Sequence, residues 1–291
     1  MDELAGCLAD RLDRRNLTLV PLDVACAAPV FKGVCEKESP MFVKLALPRS
    51  AERFVSFLRA AGPDKLLPRV LCEPFPMGDR VVLCLEWKEV VRVNAEEMSE
   101  WQASSLLSGC VRLSGILQRA QDIADPPEEE ATEFMRERLA RYCARHPFVG
   151  RFLRELAELP DDACMYGDRK LVTVHGDLQP KNYGFVGNDL AAVFDFDDVT
   201  RGLACEDLAY AFTERARRSA LSASGRRRLQ ELFARTVRDS PWPVEEWRIA
   251  VNRSRLRIAT RRLAKRPDSV LVVLDICRRD RPLSKLLEAI A

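Results

Sequence analysis

Val172-Thr173-Val174-His175-Gly176-Asp177-Leu178-Gln179-Pro180-Lys181-Asn182 opens on β-branched residues and closes on polar ones. The pattern predicts a strand that delivers His175 and a glycine that allows a tight turn. Asp177 then emerges on a loop, with Asn182 five residues later. Residues 183–186 read as a strand, Gly187-Asn188-Asp189 as a hairpin turn, and residues 190–194 as the return strand. That strand ends in Asp195-Phe196-Asp197-Asp198. Folding the hairpin brings Asp195 back towards the loop, so Asp177, Asn182 and Asp195 can converge although 18 residues separate the outer two. Two carboxylates and an amide are all oxygen donors. They suit Mg²⁺, a hard ion that takes few protein ligands and completes its shell with phosphate and water.

Upstream of this stretch lies a different texture. Leu4, Leu8 and Leu12 predict a short amphipathic helix. Residues 17–20, 30–35 and 41–46 read as strands, the last two joined through the turn-prone Lys37-Glu38-Ser39-Pro40 into an antiparallel hairpin. A helix follows, with Ser50 as its N-cap, Phe54, Phe57 and Leu58 as its apolar stripe, and Gly62-Pro63 as its stop. Residues 70–72 and 80–85 read as two further strands. Beyond them the pattern is helical over 95–120, with Trp101, Leu106, Val111, Leu113 and Leu117 as core candidates, and again over 131–159 and 205–291. The acidic run 125–130 reads as a solvated loop. No internal repeat appears. The order defines an α+β chain of two lobes: a small β-rich lobe over 1–86, a hinge at 87–93, and a larger, mainly α-helical lobe over 94–291.

The segment 172–209 resembles the kinase fold, and within it the aminoglycoside phosphotransferase and choline kinase-like family of small-molecule kinases. His175, Asp177 and Asn182 meet the His-x-Asp-x-x-x-x-Asn pattern, and Asp195 stands where the family places its metal-binding aspartate. Gly202 and Asp207-Leu208-Ala209 match the continuation, while Asp197 replaces the glycine found third in most protein kinases. The resemblance implies a two-lobed, protein kinase-like fold. It also implies transfer of the γ-phosphoryl of ATP to a hydroxyl, with Asp177 orienting the acceptor and taking its proton, and with Asn182 and Asp195 holding Mg²⁺. Lys44, on the strand Phe42-Val43-Lys44-Leu45-Ala46, takes the place of the family's phosphate-gripping lysine. Glu52 is the candidate carboxylate that holds Lys44, and Glu86-Trp87-Lys88 falls where the adenine-binding hinge is expected. His175 is expected to brace the loop bearing Asp195. Lys181 either reaches a phosphate or points to solvent, and Asp197 either serves a second metal or pairs with an arginine such as Arg201. A glycine-rich phosphate loop and an Ala-Pro-Glu motif are both missing, which disfavours the alternative of an atypical protein kinase. The other alternative, a non-catalytic kinase-like nucleotide-binding module, finds no support in the intact set of base and metal residues.

Composition narrows the class and sharpens the question of the acceptor. The chain of 291 residues, 47% hydrophobic and 31% charged, is globular in composition. Its net charge of +2 advertises no nucleic acid. Ten scattered cysteines without a Cys-x-x-Cys pair, and only two histidines, argue against a disulfide scaffold or a structural zinc site. The acidic start, and the absence of any apolar run near the roughly 18 residues of a membrane span, predict a cytoplasmic protein with reduced thiols. The longest apolar run, 269–276, carries Asp275. The small total charge hides a split. Residues 213–291 hold 20 basic and 9 acidic residues, a net +11, and residues 1–212 hold 26 and 35, a net −9. Arg253, Arg257 and Arg261 recur at four-residue spacing, a like-charged stripe that acids or phosphate must answer. Three readings stay open for it: a solvated helix face, ion pairs to the acidic remainder, or an anionic small-molecule acceptor.

Overall fold

A computed structural model describes residues 2–22, 28–36, 38–120, 132–145, 156, 159, 165–216, 221–265, 283 and 285–290. The acidic run 125–130 and the apolar run 269–276 lie outside these. The chain divides into two compact units: Met1–Val90 with Ala191–Asp197, and Val91–Leu190 with Asp198–Ala291. The fold is mixed, with an antiparallel sheet in the first unit and helices dominating the second.

The first unit begins with α1 (Asp2–Leu12), followed by β1 (Thr18–Pro21), β2 (Val30–Cys35) and β3 (Glu38–Ala46). After α2 (Pro48–Ala61) come β4 (Phe75–Met77) and β5 (Arg80–Glu86). The five strands form one sheet in the order β1-β2-β3-β5-β4, and every pairing is antiparallel. Leu4 and Leu8 of α1 pack with Leu19, Met41, Val43, Phe75, Val82 and Cys84 to make its core. Because side chains alternate along a strand, Lys44 leaves β3 on the face opposite Met41 and Val43.

Three local expectations are corrected here. The hairpin turn is tighter than Lys37-Glu38-Ser39-Pro40: β3 already starts at Glu38, which pairs with Cys35, and the register shifts between Gly33 and Cys35. Pro40, which has no N–H to give a ladder, falls at this irregularity. Helix α2 starts at Pro48 rather than after Ser50, with Leu47 as an N-cap that lends no side chain. Proline at the first helical position needs no N–H partner and presets the helical φ. Residues 70–72 contribute only the bridge from Val70 to Leu85, and the edge strand is Phe75–Met77 instead.

In the second unit a short 3₁₀ turn at Ala95–Glu97 precedes α3 (Glu100–Gln118). The side chains of Ser99 and Gln102 close a reciprocal capping box at the start of α3. Leu106, Leu113 and Leu117 are buried as expected, whereas Trp101 is 75% exposed and Val111 is also exposed. The buried face runs through Ala103, Leu106, Cys110, Leu113 and Leu117, and Trp101 points away from it at 100° per residue. Then come α4 (Thr132–Arg145), β6 (Val172–Val174), β7 (Tyr183–Val186) and β8 (Asp189–Val193), with β9 (Thr200–Gly202) pairing antiparallel to β6. Three helices follow: α5 (Glu206–Ala216), α6 (Ala223–Asp239) and α7 (Val244–Lys265). Trp247 of α7, fully buried, meets Phe233 of α6 edge to face, and Phe233 meets Phe212 of α5 in the same way. Helix α3 supports the β7–β8 hairpin: Gln102 donates to the Gly187 carbonyl at 3.0 Å, and Leu190 N–H donates to Ser105 Oγ at 2.9 Å.

No helix among the described residues is long and apolar enough to cross a membrane.

Candidate active site

Each unit carries its own group of candidate site residues. In the first unit, Lys44 Nζ donates to Asp195 Oδ1 and Asp197 Oδ2, both at 2.8 Å. Burial opposes the charge on Lys44, but the two carboxylates outweigh it and hold its pKa above the usual lysine range. Phe196, between the two aspartates, is fully buried and stacks on Phe57 of α2, with ring centroids 4.8 Å apart. Val193 N–H, donating to the Leu66 carbonyl at 2.8 Å, fixes the same segment from the other side. Asp195 itself has φ +63°, a left-handed conformation that non-glycine residues adopt at a cost of about 1 kcal/mol. Lys44 and Asp195 are thus brought together, and Asp197 joins them rather than pairing with Arg201. Glu52 sits exposed on α2, and no bond between it and Lys44 is among the described contacts. The carboxylates described at Lys44 are those of Asp195 and Asp197.

In the second unit Asp177 is the hub. Gln179 Nε2 donates to both its carboxylate oxygens, at 2.9 and 2.8 Å. Asn182 Nδ2 donates to Oδ2 at 3.0 Å and to the Asp177 carbonyl at 2.8 Å. Arg261 Nη1 of α7 reaches Oδ1 at 3.3 Å, and Lys181 Nζ stands 3.8 Å from Oδ2. Lys181 therefore turns to the carboxylate that its own loop presents. Burial, together with Asp177 beside it and hydrogen-bonded to it, pushes the Tyr210 hydroxyl up to about 12, so Tyr210 stays a neutral donor.

The loop is pinned from below by residues distant in sequence. Asp207 of α5 accepts the backbone N–H groups of His175 and Gly176, each at 2.8 Å. Its burial raises its pKa although both N–H groups favour the carboxylate. Replacing Asp207 with alanine leaves two buried N–H groups without a partner and is expected to lower stability by about 3 kcal/mol. Urea denaturation measures this, and a loss under about 1 kcal/mol contradicts it. Gly176 has φ +81°, and a Cβ there would run into the Asp198 carbonyl, so the turn requires glycine. His175 is fully buried and accepts the backbone N–H of Asp177 at its Nδ1, at 3.2 Å, whereas a bond to the loop bearing Asp195 is not among the described contacts.

The arginine stripe is not a solvated face. Arg253 is buried and donates to Glu206 Oε2 at 2.6 Å, while Tyr166 donates to Glu206 Oε1 at 2.7 Å. Arg257, also buried, donates to the Gly176 carbonyl. Only Arg261 stays half-exposed, bridging Asp177 and Asp198, the latter at 3.1 Å. Burial works against the Asp198 carboxylate, yet Arg261, Arg257 and His175 hold its pKa below the usual aspartate value. A depressed carboxylate adds stability above its unfolded pKa of about 4, and that stability is lost as the pH falls through the folded value. Melting curves should therefore show Asp198→Asn less stable than wild type at pH 7, with the difference closing below about pH 4. A difference that does not shrink as the pH is lowered from about 4 would contradict this.

A sheet-bearing unit with a buried lysine held by aspartates, and a helical unit with a His-Gly-Asp loop, define a protein kinase-like phosphotransferase fold. The model of the phosphotransferase enzyme family named APH matches residues 34–240, more than two thirds of the chain, and the chain belongs to that family. Solved structures agree on the fold. Amicoumacin kinase hAmiN is 13% identical with a TM-score of 0.61, over 98% of this chain and 93% of that one. Macrolide 2'-phosphotransferase MphH from Brachybacterium faecium is 16% identical with a TM-score of 0.59, over 96% and 97%. Aminoglycoside 2'-phosphotransferase-IIIa is 10% identical with a TM-score of 0.64, over 96% and 97%. A comparison with curated protein sequences finds no match.

Four participants escaped the sequence reading: Gln179, Tyr210, Asp198 and the inward role of Arg257. Only Gln179 left a local signal, two positions after Asp177 on the same loop.

Proposed function

We propose that the protein transfers the γ-phosphoryl group of ATP to a hydroxyl of a small molecule, with Mg²⁺ as cofactor. The observation that carries this is the hydrogen-bonded cage around Asp177. A carboxylate gripped by Gln179 and Asn182 on a loop pinned through Asp207 is oriented in advance to receive a hydroxyl. In the reaction the acceptor O–H gives its proton to Asp177, its oxygen forms the new bond to the γ-phosphorus, and the bond to the β-phosphate oxygen breaks to release ADP. Lys44, kept charged by Asp195 and Asp197, neutralises the phosphates. Asn182 and Asp195 are the residues that would hold the cation, and each has an oxygen donor suited to a hard ion. The Asn182 amide nitrogen is committed to Asp177, which leaves its oxygen as donor, and Asp195 keeps a second carboxylate oxygen beside the one that Lys44 takes. The metal, when bound, offsets charge on the transferred phosphoryl group.

The small-molecule reading draws support from the stretch after Asp198. Residues 200–202 pair with β6, and α5 begins at Glu206, so no long peptide-positioning segment fits between them. Similar folds bind nucleotide and small acceptors: amicoumacin kinase hAmiN is known in complex with AMP-PNP, Ca²⁺ and Ami, and aminoglycoside 2'-phosphotransferase-IIIa with GDP. Thermal melting with ATP and MgCl₂ tests the nucleotide site. A rise in Tm that needs both together is expected, by about 2.7 kcal/mol of stabilisation at a ligand concentration of 100 Kd. No rise with ATP or GTP, with or without metal, would favour a non-catalytic module that has lost nucleotide binding.

A further inference from the structure

The carboxylate of Asp177 accepts from Gln179, Asn182, Arg261 and Tyr210, with Lys181 3.8 Å away. A carboxylate offers about four lone-pair directions, so a hydroxyl that is to bond Asp177 must displace a donor. Gln179 and Asn182 hold at 3.0 Å or less, and Asn182 and Tyr210 are buried. Among these hydrogen bonds Arg261 makes a longer one than Gln179 or Asn182, 3.3 Å, and its side chain is 31% exposed. It is also tethered at its other nitrogen by Asp198, so it can turn away from Asp177 without leaving the site. A guanidinium moved off one carboxylate seeks another planar anion for its fork of donors. The ammonium of Lys181, 43% exposed, stands at the same carboxylate. An acceptor bearing an ammonium beside its reacting hydroxyl would meet two like charges there. Arg253 and Arg257 cannot serve this purpose, because both are buried against their own partners.

We propose that the acceptor carries an anionic group, a carboxylate or a phosphate monoester, close to its reacting hydroxyl. Arg261 and Lys181 bind that group as the hydroxyl takes the place of Arg261 on Asp177. This rests on the reading of Asp177 as the group that receives the acceptor, and it makes Arg261 and Lys181 specificity-determining residues.

The test uses a matched set of acceptors, glucose, glucosamine, gluconate and glucose 6-phosphate, with ADP release as readout. Expected is a kcat/KM at least tenfold higher for one of the two anionic sugars, and which of them wins tells carboxylate from phosphate. Arg261→Gln and Lys181→Gln should each raise the KM for that acceptor at least tenfold while the KM for ATP stays within twofold. Preference for the neutral or ammonium-bearing sugar, or variants with unaltered selectivity, would overturn the proposal. A parallel measurement stands without turnover: malonate and inorganic phosphate should raise the Tm of the wild type and not that of Arg261→Gln or Lys181→Gln. Equal shifts in all three proteins also overturn it. Anion stabilisation that depends on Arg261, found together with no ATP turnover on any acceptor, would keep this anion site while removing the kinase reading of Asp177.

Discussion

Asp177→Asn is expected to cut phosphoryl transfer by about 10³-fold or more, because in the proposed reaction Asp177 orients the acceptor and takes its proton. The same change is not neutral for the fold. Gln179 donates to both oxygens of Asp177 and Asn182 donates to Oδ2. An amide nitrogen in either position would face a donor, and Arg261 would lose one of its two charged partners, keeping Asp198. The expected cost is about 1–2 kcal/mol, a fall in Tm of a few degrees for a chain of this size. ADP release and a melting curve on the same preparation check both parts. Retained activity would remove Asp177 from the mechanism, and a collapse of the fold would show that the cage is worth more to stability than its hydrogen bonds suggest.

Lys44→Met has a comparable effect for a different reason. The ammonium is the shared partner of Asp195 and Asp197, and without it the two carboxylates lose the charge that answers both. Transfer should fall by about 10³-fold through loss of phosphate neutralisation. Stability should fall by about 2–3 kcal/mol, less than for a fully buried pair, because both aspartates keep some contact with water. Asp197→Asn separates the two roles. It leaves Asp195 to hold Lys44 and should cost far less than Asp195→Asn in a steady-state assay.

How far the sequence could be read depended on distance along the chain. His175, Asp177 and Asn182 lie on one loop whose strand, glycine and turn signals are all local, so their grouping followed from spacing. Lys44 was legible only through the resemblance, because the strand Phe42-Val43-Lys44-Leu45-Ala46 stands where the family places its phosphate-gripping lysine. The partner was not legible: Glu52 is nearer in sequence, but Asp197 arrives through the packing of Phe196 on α2, which no periodicity reports. Asp207 matched a pattern without disclosing its work, since its bonds go to backbone N–H groups of residues 175 and 176. The arginines of α7 were visible as a stripe, yet a stripe on a helix does not say whether it faces water or a buried loop. Trp101 misled for the opposite reason: a large aromatic in a helix suggests a core, and only the phase set by Ala103, Leu106 and Cys110 turns it outward.

The first unit is discontinuous, and synthesis on the ribosome has to respect that. Its sheet and its two helices are complete by Val90, but residues 191–197 belong to it as well. Until they emerge, Phe54 and Phe57 lack the ring that covers them and Lys44 lacks both its carboxylates. At roughly 5–20 residues per second, translation of the intervening segment takes on the order of 5–20 s. During that time the nascent sheet carries an exposed aromatic patch and an unanswered buried charge. The cluster of Lys44, Asp195 and Asp197 is thus finished only after the Asp177 loop has been made, so a chain truncated before Asp195 lacks it altogether.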